Sequence, residues 1–132
     1  MEKVQASPAV EEFWKYTKAF QALDSKAVAA HFNEPALMIT PQGVNVLPDT
    51  AAVEQAYALI MAELPARGYA RTEFSPIAER RLSDDLAMLT GSGNWVDKSG
   101  KKFMPFGMTY TLRRTGQSWR IVIAVIHSAD AR

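Results

Sequence analysis

Two histidines, four tyrosines and no cysteine bound the chemistry open to this 132-residue chain. His127 is the natural acid–base group near neutral pH. Counting by two along a C-terminal strand places Trp119, Ile121, Ile123, Val125 and His127 on one face. That parity directs the imidazole toward the side on which helices pack. Tyr16, on a helical apolar stripe, and Tyr110, on a strand's inward face, are the matching hydrogen-bond donors. His127, Tyr16 and Tyr110 are therefore the candidate catalytic residues. Each also has a structural reading: Tyr16 and Tyr110 as core aromatics, His127 as a histidine solvated at the sheet's end. His31 sits late in a short helix, where a cation favours the negative end of the helix dipole.

Other chemistries are excluded. Without cysteine there is no thiolate zinc site, no thiol nucleophile and no disulfide. Two histidines far apart give no metal-ligand spacing, so no metal and no cofactor is expected. Gly91-Ser92-Gly93 lacks the third glycine of a dinucleotide loop and lies inside a strand pattern. His127, Ser128 and Asp130 are near in sequence, but neighbouring strand residues face opposite ways, so adjacency does not make a triad. Fifteen basic against fourteen acidic residues leave a formal charge of +1. That balance offers no nucleic-acid footprint. Lys98, Lys101, Lys102, Arg113 and Arg114 flank hairpin turns and read as solvated loop charges. The longest apolar run, Ile121 to Ile126, is far short of the roughly 20 residues that span a bilayer. The first residues carry no leader-like apolar run, and a cysteine-free chain suits a reducing compartment, so a cytoplasmic location and no membrane partner are expected.

These residues must be positioned by helices that come first and strands that follow. Ser7-Pro8 is a helix start, a hydroxyl cap with proline at the first helical position. Phe13, Tyr16, Phe20 and Leu23 recur at three- and four-residue spacing and form its apolar stripe. Asp24-Ser25 caps a second, short helix whose stripe runs to Phe32, with Asn33-Glu34-Pro35 ending it. A hairpin follows, Ala36–Thr40 and Val44–Leu47 around Pro41-Gln42-Gly43. Pro48-Asp49-Thr50 opens a third helix, which Pro65 and Gly68 close. From Tyr69 the period becomes two. Four strands, about 69–82, 86–96, 102–114 and 118–127, are joined by short turns and predict an antiparallel meander. Pro76 and Pro105 mark edge positions or bulges. The whole, residues 1–132, is one α+β domain: N-terminal helices packed on a strongly curved antiparallel sheet.

The inward faces nominate a small-molecule pocket lined by Trp14, Met38, Tyr57, Met104, Phe106, Met108 and Trp119, together with Tyr16, Tyr110 and His127. Apolar and aromatic walls with a few polar tips are the usual make-up of such a site, and methionine adapts to irregular ligands. A small apolar or aromatic molecule is the expected occupant; the same residues also read as plain core. On the last strand Val122, Ala124 and Ile126 make the second face apolar too. An antiparallel sheet with one solvated face alternates polar residues there. A second copy of the chain is the simplest cover, so a homodimer is expected.

The long first helix, the Asp-capped short helix ending in AAHFNEPALMI, the PQG turn, a third helix and a meander closing on YTLRRTGQSWRIVIAVIHS resemble the nuclear transport factor 2-like superfamily, in the flavour of small bacterial SnoaL-like proteins. The resemblance implies a cone-shaped, cystatin-like roll around an internal cavity, and commonly a homodimer. It does not choose between isomerase, cyclase, other enzyme and non-catalytic binding module. Ketosteroid isomerase-like members use a helix-one tyrosine as oxyanion donor, a place Tyr16 would fill, and a carboxylate just before a Pro-x-Gly turn. Here that position is Thr40, which is no base near neutral pH. SnoaL-like cyclases place histidine and aspartate in the cavity, which points to His127 with Asp97 across a hairpin. Three functions stay open: a binding cavity, a cofactor-independent cyclase or isomerase, and a protein–protein module dimerising through its sheet.

Overall fold

A computed structural model describes residues 7–128. Three helices are set against one seven-stranded sheet. The helices are α1 (Pro8–Gln21), α2 (Ser25–Ala29) and α3 (Thr50–Glu63). Each begins where the sequence supplies a cap. The Ser7 hydroxyl accepts from the Val10 amide at 3.2 Å, Asp24 from Ala27 at 3.0 Å, and Asp49 from Ala52 at 2.9 Å. A single-turn 3₁₀ segment (Pro65–Arg67) follows α3, and Gly68 ends it at a φ of 79°, where a side chain would be strained. No helix among the described residues is long and apolar enough to cross a membrane.

The strands are β1 (Phe32–Thr40), β2 (Gly43–Leu47), β3 (Tyr69–Phe74), β4 (Ala78–Ser83), β5 (Leu86–Asp97), β6 (Lys102–Thr115) and β7 (Ser118–His127). Their order is β2-β1-β7-β6-β5-β3, with β4 also paired to β5, so the sheet is open and has two edges. The helices cover its inner face. Ala9, Phe13 and Tyr16 of α1 and Val53, Tyr57 and Met61 of α3 are buried against Leu89, Met108, Tyr110, Leu112, Ile121 and Ala124 of the sheet. Phe13 is wholly buried, and cutting such a ring to alanine costs about 3–5 kcal/mol.

Four sequence expectations change. The sheet is mixed, because β1 runs parallel to β7. The segment expected as one strand over 69–82 is two, broken at Ser75–Ile77, where Pro76 supplies no amide hydrogen. Phe32 opens β1 instead of closing α2.

The fourth change decides the faces. Thr111 pairs with Ile123 but Leu112 pairs with Ile121, leaving Val122 as an extra residue. This bulge reverses the alternation halfway along β7. Trp119 and Ile121 point inward as expected, but beyond Val122 the inward residues are Ala124 and Ile126. Ile123, Val125 and His127 share the outer face with Leu37 and Ile39 of β1. Val44 and Val46 of β2 extend that face and are exposed at 64% and 65%. The second apolar face is thus real, but its members are Ile123 and Val125, not Ala124 and Ile126.

Candidate functional site

Between the helices and the inner face of the sheet lies a cavity of about 270 Å³. Its floor is a cluster of three phenols from three elements. Tyr16 comes from α1, Tyr57 from α3 and Tyr110 from β6. Helical spacing turns Tyr16 and Tyr57 inward with the buried stripes of their helices, and strand alternation does the same for Tyr110. The Tyr16 hydroxyl is 2.8 Å from that of Tyr110 and 3.0 Å from that of Tyr57. Burial lifts all three phenols well above their ordinary range, and each is raised further by its neighbours' negative charge were they to ionise. They are neutral hydroxyls over the whole physiological range. Three hydroxyls carry three protons; the two contacts at Tyr16 use two, and Tyr57 and Tyr110 also interact with one another, so the third is shared within the cluster.

The walls are aromatic and sulfur-bearing. Phe74, Trp95 and Phe106 stand on one side, and Met38, Met104 and Met108 on others. Phe20 stacks on Trp95 at 6.1 Å between centroids, and the Arg67 guanidinium lies 5.6 Å from the same indole. Gly93 permits the close approach of the wall. A Cβ there would stand 2.9 Å from Phe106 Cζ and 3.2 Å from Phe74 Cδ1. Thr17, Thr72 and, from the β1–β2 turn, Thr40 and Gln42 are the remaining polar side chains of the lining. The lining contains no Asp, Glu, Lys, Arg or His.

The structure brings together seven of the residues nominated from sequence: Tyr16, Met38, Tyr57, Met104, Phe106, Met108 and Tyr110. Three nominations fall outside the lining. Trp14 is 39% exposed and packs edge-on against Phe13 and Phe74. Trp119 is buried, with Arg81 over its ring at 5.3 Å, toward the opposite end of β7. His127 stands on the outer face because of the Val122 bulge, and Ile126 takes the inward place beside Met108. The imidazole rests over Gly107, where a Cβ would meet its Cε1 at 2.5 Å. Its Nδ1 is 3.0 Å from the Ser128 carbonyl, to which it donates, and its Nε2 is 3.1 Å from the Thr109 hydroxyl. Asp97 is likewise spent on its own turn. Its carboxylate accepts from the Ser99 hydroxyl and the amides of Ser99 and Lys101, which holds its pKa down. Sequence reasoning passed over Trp95 and Phe74. The signal for Trp95 was its alternation with Gly91 and Gly93 on β5.

Titratable side chains gather elsewhere. In a polar cleft between α1, the α2–β1 link and the start of β7, Glu12 accepts from His31 Nδ1 at 2.5 Å and from Arg120 Nη1 at 3.5 Å. No group of three or more His, Asp or Glu side chains able to hold a metal lies among the described residues.

The sequence matches, over residues 6–129, the family described as NTF2-like protein (DUF6841). The chain belongs to this family. Solved structures agree with the fold. An NTF2-like protein with a cystatin-like fold from Novosphingobium aromaticivorans is 20% identical, with 92% of this chain and 80% of that one covered at a TM-score of 0.74. Aln2 from a Streptomyces species is also 20% identical, covering 96% of each chain at 0.74. An NTF2-like protein from Shewanella oneidensis is 16% identical, with 90% and 95% covered at 0.70. At these identities the likeness is one of fold. No functionally curated protein matches the chain.

Proposed function

We propose that this NTF2-like domain binds a small, uncharged, largely apolar molecule, aromatic or alicyclic, in the cavity above Tyr16, Tyr57 and Tyr110. The observation that carries the reading is the lining itself: aromatic rings, methionines and neutral phenols, with no charged side chain. Moving an unpaired charge into such surroundings costs several kcal/mol, so the occupant is neutral. The neutral phenols, as hydrogen-bond donors, favour a ligand with one acceptor oxygen, such as a carbonyl or hydroxyl. A volume of about 270 Å³ suits one or two fused rings.

The cavity offers hydrogen-bond donors but no residue that accepts a proton near neutrality. A cyclase or isomerase role for His127 therefore has less support than binding. The test is a fluorescence titration, because Trp95 is the indole on the cavity wall. Naphthalene and 2-naphthol should quench it and 2-naphthoate should not, and the response should vanish in Trp95→Phe. Replacing all three phenols together, Tyr16→Phe with Tyr57→Phe and Tyr110→Phe, should weaken 2-naphthol about fivefold and leave naphthalene unchanged. Equal binding of the carboxylate would overturn the reading.

We propose further that two copies associate through the outer face. Leu37, Ile39, Val44, Val46, Ile123 and Val125 make a contiguous apolar surface on β2, β1 and β7. Apolar patches of this kind mark interfaces.

A further inference from the structure

The polar cleft holds the one carboxylate–imidazole pair among the described residues. It has a volume of about 450 Å³ and lies apart from the tyrosine-floored cavity, sharing no lining residue with it. Its walls are Glu11, Glu12 and Lys15 of α1, Ala30 and His31 of the α2–β1 link, and Gln117 to Arg120 around the start of β7. The Glu12 side chain is only 11% exposed, and that of His31 is 20% exposed. The His31 backbone is pinned on both sides. Its amide donates to the Val28 carbonyl at 3.0 Å, and its carbonyl accepts from the Ile121 amide at 2.9 Å. The ring therefore has a fixed base and a fixed partner. A carboxylate accepting at Nδ1 holds the proton there, so a neutral imidazole carries its lone pair on Nε2. Glu12 is the side-chain partner at Nδ1, and His31 forms part of the cleft wall. Arg120 and Lys15 put positive charge on the same walls, and Glu11 is the remaining charged group facing it.

We propose that this cleft is a second site, in which His31 acts as general base, with Glu12 positioning it, for hydrolysis of a small acyl ester. His31 Nε2 takes a proton from water as the water oxygen bonds to the acyl carbon. Negative charge develops on the former carbonyl oxygen, in reach of the cationic walls. The carbon–oxygen bond to the alcohol then breaks, and Nε2 returns the proton to the leaving oxygen. Ester and water become acid and alcohol, with no redox change. Glu12 keeps the Nδ1 proton in place and takes up none.

The probe is p-nitrophenyl acetate, followed by nitrophenolate release at fixed protein concentration across a pH series. The wild-type protein should show a rate above buffer that rises with pH as one group loses one proton. His31→Gln should remove the excess by about a hundredfold, the scale of general-base catalysis. Glu12→Gln should lower it about tenfold and displace the pH profile, which a merely structural loss would not do. Should His31→Gln fail to fold, partial carbethoxylation of the wild-type protein, mapped by peptide mass, replaces it. The rate must then fall in proportion to the His31 adduct. An excess rate that survives complete His31 modification, that disappears with His127→Gln instead, or that is absent from the start, overturns the proposal.

Discussion

The Tyr16 hydroxyl on α1 meets the Tyr110 hydroxyl on β6 at 2.8 Å, and the same oxygen meets Tyr57 on α3 at 3.0 Å. One phenol thus serves two others. Removing its oxygen breaks both short contacts, whereas removing Tyr57's oxygen breaks one and leaves Tyr16 still paired to Tyr110. An unsatisfied buried polar group costs about 1–3 kcal/mol and a replaced neutral hydrogen bond about 1 kcal/mol. Tyr16→Phe is therefore expected to destabilise the fold more than Tyr57→Phe. Urea unfolding midpoints of the two variants check the order.

The same cluster sets behaviour in alkali. Tyr16, Tyr57 and Tyr110 are raised well above their ordinary value by burial, and Tyr69 less so. Above the ordinary phenol pKa of about 10, an unfolded chain releases these protons while the folded one keeps them. The unfolded state then binds fewer protons, so stability falls with rising pH. Below that pH the contribution is complete. Tyrosinate absorbance of the native protein should show Tyr69 titrating first and the other three only as the fold opens. Four tyrosines ionising together, in a still-folded protein, would contradict the cluster.

The Val122 bulge predicts that β7 tolerates the loss of this residue. Deleting Val122 sets Ile123 directly after Ile121 in the register they already hold opposite Thr111 and Leu112, so Ala124 and Ile126 still face inward and Ile123 and Val125 outward. A cooperative thermal transition should remain in the deletion variant. Val122→Ala keeps the extra residue and should melt within a few degrees of the wild type. Circular dichroism on both chains is sufficient, and loss of the transition on deletion would contradict the bulge.

The outer face predicts oligomeric state. Light scattering at micromolar concentration should give twice the chain mass, and Ile123→Lys should give the chain mass with unchanged far-ultraviolet dichroism. Ile123 is only half-buried, so the lysine can reach solvent in the separate chain.

What sequence made legible was local. Ser7, Asp24 and Asp49 announce their helices because a cap acts within three residues of itself. Met104 to Leu112 announced their inward face because β6 keeps strict alternation there. That is why Tyr110, Met108 and Phe106 were placed correctly. His127 was misplaced because the extra residue at Val122 is fixed by pairing with β6, and nothing in the composition of β7 signals it. The parallel union of β1 with β7 joins segments far apart in the chain, beyond the reach of periodicity. Glu12, His31 and Arg120 were invisible as a group for the same reason, since separations of 19 and 108 residues carry no spacing rule.

The phenol cluster has one more consequence. Its members arrive from the first helix, the third helix and the sheet, so their mutual bonds are also rivets between layers. An oxygen-bearing guest that captures the Tyr16 proton must first loosen one such rivet. Occupancy of the hollow and the seating of a helix on the sheet are then two readings of a single equilibrium.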